Sequence, residues 1–258
     1  MGIIIFIFGL IFGSFANVCI YRLPKGKSII TPGSFCPNCK KSILWYDNIP
    51  LLSYIILKGK CRYCGEKISQ RYFIVELLTG ILFLLNYKVF GLTSSFFIYT
   101  LFIFSLIIIS FIDIETFLIS DVIVIPCIFL GLLFSSFFPM MHHFSGKLEG
   151  LLYSLEGLIL GVGLLLFIAF AGKMAFKKDA MGGGDIKLLG MIGTFLGWKC
   201  VFLTLFFSSI FGVAISLILI GLKKKKIDDY IPFGPYLGLG AVISLFFKGH
   251  DFLGFFIN

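Results

Sequence analysis

Apolar residues run through this chain in blocks of about 20, the length that crosses a bilayer as one helix, with short polar stretches between them. Blocks at 2–21, 72–90, 94–112, 117–138, 150–172, 199–222 and 231–248, with a shorter one at 186–198, predict eight transmembrane helices in an all-α protein. The long polar interruption at 22–71 predicts a loop between the first two spans. No basic stretch precedes the first block, so it reads as a retained span and not as a cleaved signal peptide. Residues 1–21 are then the first helix, 22–71 the loop and 72–258 a transmembrane core.

Composition agrees with that reading. At 59% hydrophobic and 14% charged residues, with 33 Phe, the chain holds more apolar surface than one soluble core of 258 residues could hide. Basic residues orient it. With the N-terminus outside, the loop, Lys173, Lys177, Lys178, Lys187 and Lys223 to Lys226 are cytoplasmic, which places 18 of the 22 Lys and Arg inside. Lys88, Lys147, Lys199 and Lys248 remain outside, and a seven-span topology would destroy the bias. The run Lys223 to Lys226 suits anionic lipid headgroups, with Asp228 and Asp229 as local charge balance. A nucleic-acid partner is not expected, and the sequence leaves the oligomeric state open.

Two carboxylates stand where an apolar chain tolerates them least. Asp113 lies in the run Ser105 to Ile119, and Asp185 directly follows Met181-Gly182-Gly183-Gly184. Ionisable groups at bilayer depth are costly and face cavities where they act. The topology puts both at the cytoplasmic ends of their helices. A close carboxylate pair holds one proton between two groups, and can activate water and protonate a leaving amine. Glycines 182 to 184 allow close backbone approach or a break in the helix. Two other readings stay open: helix capping or pairing with Lys187, and proton-coupled transport.

The loop carries a second constellation. Cys36-Pro-Asn-Cys39 and Cys61-Arg-Tyr-Cys64 place four thiols in two close pairs, flanked by Lys40, Lys41, Gly65 and Lys67. That spacing suits a tetrahedral zinc ion, structural because four sulfurs leave no open position. Disulfides or a redox relay are the alternatives, and a reducing cytoplasmic face opposes them. Cys19, Cys127 and Cys200 read as buried hydrophobes. His142 and His143 fall in an outside loop, away from the cytoplasmic serines, so no Ser-His-Asp triad is expected.

Taken in order, these motifs resemble the prepilin peptidases, membrane aspartic enzymes of type IV pilin and pseudopilin processing. The resemblance rests on Gly13-Ser14-Phe15-Ala16-Asn17-Val18-Cys19-Ile20-Tyr21-Arg22-Leu23-Pro24, the four cysteines and Asp47-Asn48-Ile49-Pro50-Leu51-Leu52-Ser53-Tyr54. It continues through Ile68-Ser69-Gln70-Arg71-Tyr72, Val75-Glu76, Gly182-Gly183-Gly184-Asp185 with Ile186-Lys187, and Ile231-Pro232-Phe233-Gly234-Pro235. It implies an enzyme of the bacterial inner membrane that removes prepilin leaders on the cytoplasmic side, with Asp113 and Asp185 catalytic. Gly182 to Gly184 and Lys187 would lie against substrate.

The chain departs from the family's Ile-Pro-Asp at Ile119-Ser120-Asp121, where Ser120 is expected to cap the next helix in place of the proline and Asp121 to be a cap or a first-turn charge. The resemblance also implies N-methylation of the new terminus with S-adenosylmethionine. No glycine-rich nucleotide loop is visible, since Gly161-Val162-Gly163 reads as helix packing. Asn17, Arg22 and Glu76 are the candidate cofactor residues, with an ion pair from Glu76 to Arg71 or Arg22 as the structural alternative.

Overall fold

The computed structural model describes residues 1–176, 181–223 and 231–249. Lys177, Lys178, Lys224 to Lys226, Asp228 and Asp229 lie outside them. Among the described residues the regular secondary structure is helical, apart from two isolated antiparallel bridges in the otherwise irregular cysteine loop. The chain divides into two compact units, residues 1–91 and 92–258.

The first unit holds α1 (Gly2–Arg22), a short α2 (Leu52–Ile56) and α3 (Gln70–Phe90). α1 and α3 lie side by side, and glycine decides how closely. A β-carbon at Gly13 would stand 2.6 Å from Glu76 Cα, and one at Gly9 2.8 Å from Gly80 Cα. Small residues at a crossing let helix backbones touch where lipid offers no hydrophobic drive for association. This contact brings Glu76 of α3 against the Asn17 turn of α1. α3, placed by the sequence at the head of the core region, therefore packs with the cysteine loop.

The second unit holds α4 (Ser94–Thr116), α5 (Asp121–Phe137), α6 (Lys147–Phe176), α7 (Gly183–Leu196), α8 (Trp198–Gly221) and α9 (Gly234–Gly249). Among the described residues five helices, α1, α3, α4, α6 and α8, are long and apolar enough to cross a membrane, while α5 and α9 are shorter apolar helices. Every predicted span thus has a helix, with α7 the short one. α4 runs four residues past its expected end and stops where Phe117 turns left-handed at φ 56°, so Asp113 sits inside its last turn. Ser120 does occupy the N-cap position of α5, but its side chain makes no capping hydrogen bond, contrary to expectation; the first-turn charge is Asp121. Gly161 is a packing glycine, since a β-carbon there would stand 2.6 Å from Leu189 O of α7. Gly163 faces open space.

Candidate active site

Chain direction puts three features at one end of the second unit: the C-terminal turn of α4 and the first turns of α7 and α9. Asp113 of α4 is 4% exposed and Asp185 of α7 is 5% exposed. Their charges act on one another. Asp113 Oδ2 accepts the backbone N–H of Gly234 at 2.9 Å. That amide belongs to the start of α9, where N–H groups have no partner within the helix and attract negative charge. A side chain would close the gap, because a β-carbon on Gly234 would stand 2.6 Å from the same oxygen. The Gly234 motif is visible in the sequence, but nothing there assigns it to Asp113.

Asp185 sits in the first turn of α7, its N–H bonded to Gly182 O at 3.2 Å. The glycines before it differ in role. Gly182 is the extended residue that starts the helix, and Gly184 packs against the α4–α5 connection, where a β-carbon would stand 2.7 Å from Ile119 Cβ. Gly183 faces open space. Among the described residues Asp185 Oδ1 is buried without a hydrogen-bond partner, and a buried unsatisfied carboxylate oxygen is a rare and costly state. Lys187 binds neither aspartate of this pair: its Nζ lies 2.9 and 2.8 Å from the two carboxylate oxygens of Asp121, an exposed ion pair joining α7 to α5.

In the first unit the four thiols gather into one cluster, all Sγ atoms within 4.8 Å of one another. Cys36 Sγ and Cys64 Sγ are 3.8 Å apart, the separation of about 3.8 Å that two ligands of a tetrahedral zinc with bonds of about 2.3 Å would have. No disulfide joins them. Each pair sits in a matching turn, with Lys40 N–H on Cys36 O and Gly65 N–H on Cys61 O, both at 2.9 Å. Both turns need a left-handed residue next, supplied by Gly65 at φ 71° and by Lys40 at φ 61°. Amide N–H groups of Cys64 and Tyr63 draw the Cys61 thiol down to about 7. Cys39, despite the N–H of Lys41, is pushed up to about 11 by burial and its thiol neighbours. A cation resolves that conflict, and the cluster could hold zinc. Asp47 braces the second turn with Arg62, whose Nε and Nη2 reach the carboxylate at 2.8 and 2.6 Å.

Beside the cluster lies a cavity of about 360 Å³ whose lining includes Asn17, Arg22, Cys36, Cys61, Tyr72 and Glu76. The three candidate cofactor residues are thus brought together, each with its own partners. Glu76 Oε2 accepts the N–H of Leu51 at 2.8 Å, and the hydroxyl of Ser14 also binds its carboxylate. Arg22 donates to the carbonyls of Ser28, Pro32 and Gly33 at 3.0, 2.6 and 3.1 Å, so it folds the cavity wall. Asn17 Nδ2 donates to Tyr72 O at 3.1 Å, which fastens α1 to α3.

His142 has a serine partner at its own end of the unit and not among the cytoplasmic serines: its Nε2 lies 2.9 Å from Oγ of Ser135 in the last turn of α5, because the turn after α5 folds back over the helix end.

Comparison with known proteins matches residues 7–90 to the bacterial peptidase A24 N-terminal domain and residues 100–217 to the type IV leader peptidase family. The chain is similar to the prepilin leader peptidase/N-methyltransferase of Stutzerimonas stutzeri, 32% identical over 93% of this chain and 88% of that protein. It is 33% identical to that of Pseudomonas aeruginosa over 92% and 87%, and 36% identical to that of Klebsiella pneumoniae over 81% and 90%. No solved structure matches.

Proposed function

The chain belongs to the type IV leader peptidase family, and on that premise we propose that Asp113 and Asp185 cleave prepilin or pseudopilin leaders and that the first unit methylates the new N-terminus. The observation that carries the cleavage reading is the buried pair itself: two carboxylates at one end of the second unit, one held by an amide and one with a free oxygen.

The geometry divides the work. An N–H donor favours a carboxylate over a carboxylic acid, so Asp113 takes the base role and Asp185 the acid role. Asp113 removes a proton from water as the water oxygen attacks the scissile carbonyl carbon, while Asp185 gives its proton to the carbonyl oxygen. Collapse of the tetrahedral species breaks the C–N bond: the leaving nitrogen takes the proton that Asp113 gained, and one hydroxyl of the gem-diol returns its proton to Asp185 as the carbonyl re-forms. The pair then again shares one proton. Gly183 leaves room for an extended substrate backbone beside Asp185, whereas Lys187, engaged with Asp121, braces α7 against α5. A proton path would need acidic groups through both leaflets, and these two lie at one end.

The basic bias of the sequence supports a setting of that end at the cytoplasmic face of the inner membrane, with the N-terminus outside. A pilin's hydrophobic helix then lies in the bilayer with its leader junction beside the pair. Lipid headgroups and the prepilin are the partners this implies.

For methylation, the cavity beside the cysteine cluster is large enough for a nucleoside-sized ligand and has the Glu76 carboxylate in its wall. S-adenosylmethionine, when bound, supplies an electrophilic sulfonium methyl. Glu76 offers a carboxylate to positive charge, Asn17 holds α1 to α3 at the cavity floor, and Arg22 fixes the 28–33 segment of the wall. Zinc at Cys36, Cys39, Cys61 and Cys64 is structural, since four thiolates complete its shell.

Asp113→Asn and Asp185→Asn test the reading. Each should lower cleavage of a prepilin peptide by at least about 10³-fold with membrane insertion intact, measured by product mass. Strong cleavage by either variant would end the dyad assignment.

A further inference from the structure

A lysine buried among membrane helices is costly unless it has a task, and Lys248, only 9% exposed near the end of α9, has no part in the chemistry above. Its Nζ lies 3.2 Å from Leu196 O, the last residue of α7, and 2.9 Å from His142 Nδ1. An ammonium only donates, so Nδ1 accepts and the ring proton sits on Nε2, which donates to Ser135 Oγ. The Ser135 hydroxyl in turn donates a hydrogen bond to Gly131 O at 2.8 Å. Tyr99 flanks the cation, its ring centroid 5.9 Å from Nζ. The chain Lys248–His142–Ser135 therefore anchors the lysine to α5 while its charge rests on the C-terminus of α7.

That end of α7 needs such partners. The last carbonyls of a helix lack donors within it, and residues 188 to 196 of α7 are all buried. Ser154 Oγ of α6 supplies Thr194 O at 2.7 Å, and Lys248 supplies Leu196 O. A cation at the negative pole of a helix, away from water, interacts more strongly than the same cation at the surface. The other end of α7 carries Asp185. The other end of α9 is Gly234, whose amide holds Asp113. Over roughly 21 Å of helix at about 1.5 Å per residue, α9 ties both members of the pair: Asp113 directly, and Asp185 through the far end of its helix.

We propose that Lys248 is a positioning residue for the aspartate pair, its contact with Leu196 setting the axial placement of α7 and so the distance of Asp185 from Asp113. This rests on the reading of Asp113 and Asp185 as the cleaving pair. The substrate-facing surface around Gly183 is at the opposite end of α7, so losing the lysine should alter turnover and leave substrate affinity alone.

The test compares two losses of a buried polar tie in the full-length enzyme in detergent. Lys248→Met removes the tie from α9 to α7. Thr204→Val removes the Thr204 Oγ1–Ser244 Oγ bond at 3.3 Å, which joins α9 to α8 only. Lys248→Met should lower kcat for a prepilin peptide about 10- to 100-fold with KM within about twofold, and Thr204→Val should keep kcat within about threefold even where it lowers the melting temperature as much. Lys248→Gln, which keeps a donor for Leu196 O without charge, should fall between wild type and Lys248→Met, and it carries the test alone if the methionine variant does not fold. Wild-type kcat in a folded Lys248→Met or Lys248→Gln enzyme, or an equal kcat loss in Thr204→Val at matched melting temperature, would overturn the proposal. Cleavage surviving in Asp113→Asn would instead remove the dyad reading on which it stands.

Discussion

The backbone N–H of Gly234 meets Asp113 Oδ2 at 2.9 Å, at a place where any β-carbon on residue 234 would stand 2.6 Å from that same oxygen. The contact joins residues 121 apart in sequence. It makes the glycine of Pro232-Phe233-Gly234-Pro235 part of the aspartate's environment and not merely the start of a helix.

Gly234→Ala should therefore damage cleavage without unfolding the chain. The added methyl displaces the Asp113 carboxylate or pulls the α9 amide away, and misplacement of a catalytic group by about 1 Å costs about 10²-fold in rate. We expect kcat for a prepilin peptide to fall by that order, with the melting temperature changing by a few degrees at most. Activity within about threefold of wild type would show that the contact does not matter to turnover.

The helices were legible because the bilayer imposes a length: each apolar block became a helix, including the short one that α7 answers. Asp113 and Asp185 were legible because charge is rare in such blocks. What lay between elements was hidden. Asn17, Arg22 and Glu76 share a cavity only because Gly9, Gly13 and Gly80 let α1 and α3 touch, and a string of letters does not state which helices touch. The Ser135–His142 contact was hidden because the sequence does not state that the turn after α5 tucks a histidine back against the end of that helix. Ser120 occupies a cap position without capping, since residue type gives a preference and not the side-chain rotamer.

Zinc should be present at about one ion per chain. Cys36→Ser or Cys61→Ser should lower the metal content and expose the loop, because a tetrahedral site losing one of four ligands binds more weakly and the loop's order depends on the ion. Metal analysis together with thiol alkylation checks this. Purified protein with no metal and four freely reacting thiols would refute the site.

The Asp47–Arg62 pair should give the loop a pH dependence of its own. The bond from Arg62 holds the Asp47 carboxyl below its usual range, so its contribution is complete above the unfolded value of about 3.9 and lost as pH falls through the lower folded value. Amide exchange at residues 45–48 and 61–64, compared between wild type and Asp47→Asn, reads this difference. The variant should exchange faster near pH 7, and the difference should shrink as pH falls through the lowered folded value of Asp47. A difference that persists unchanged into acid would show that Asp47 acts there by shape and not by charge.

The two activities should separate. On the proposed assignment, cleavage uses an acid and a base at one end of the second unit, whereas methyl transfer presents a neutral amine to an electrophilic methyl beside the cavity of the first unit, and neither aspartate lines that cavity. An Asp113→Asn enzyme given a pre-cleaved pilin peptide and S-adenosylmethionine should therefore methylate it at close to the wild-type rate. Conversely, Glu76→Gln should reduce methylation by about 10-fold or more, since it removes the negative charge placed to hold the cationic group, while cleavage of an intact prepilin peptide stays within about threefold. Asn17→Leu should loosen the α1–α3 contact and affect methylation more than cleavage. Mass spectrometry distinguishes the products, because leader removal and methyl addition change the peptide mass independently. If the aspartate variant is folded yet fails to methylate the pre-cleaved peptide, the two reactions share one site and the assignment of methyl transfer to Asn17, Arg22 and Glu76 is wrong.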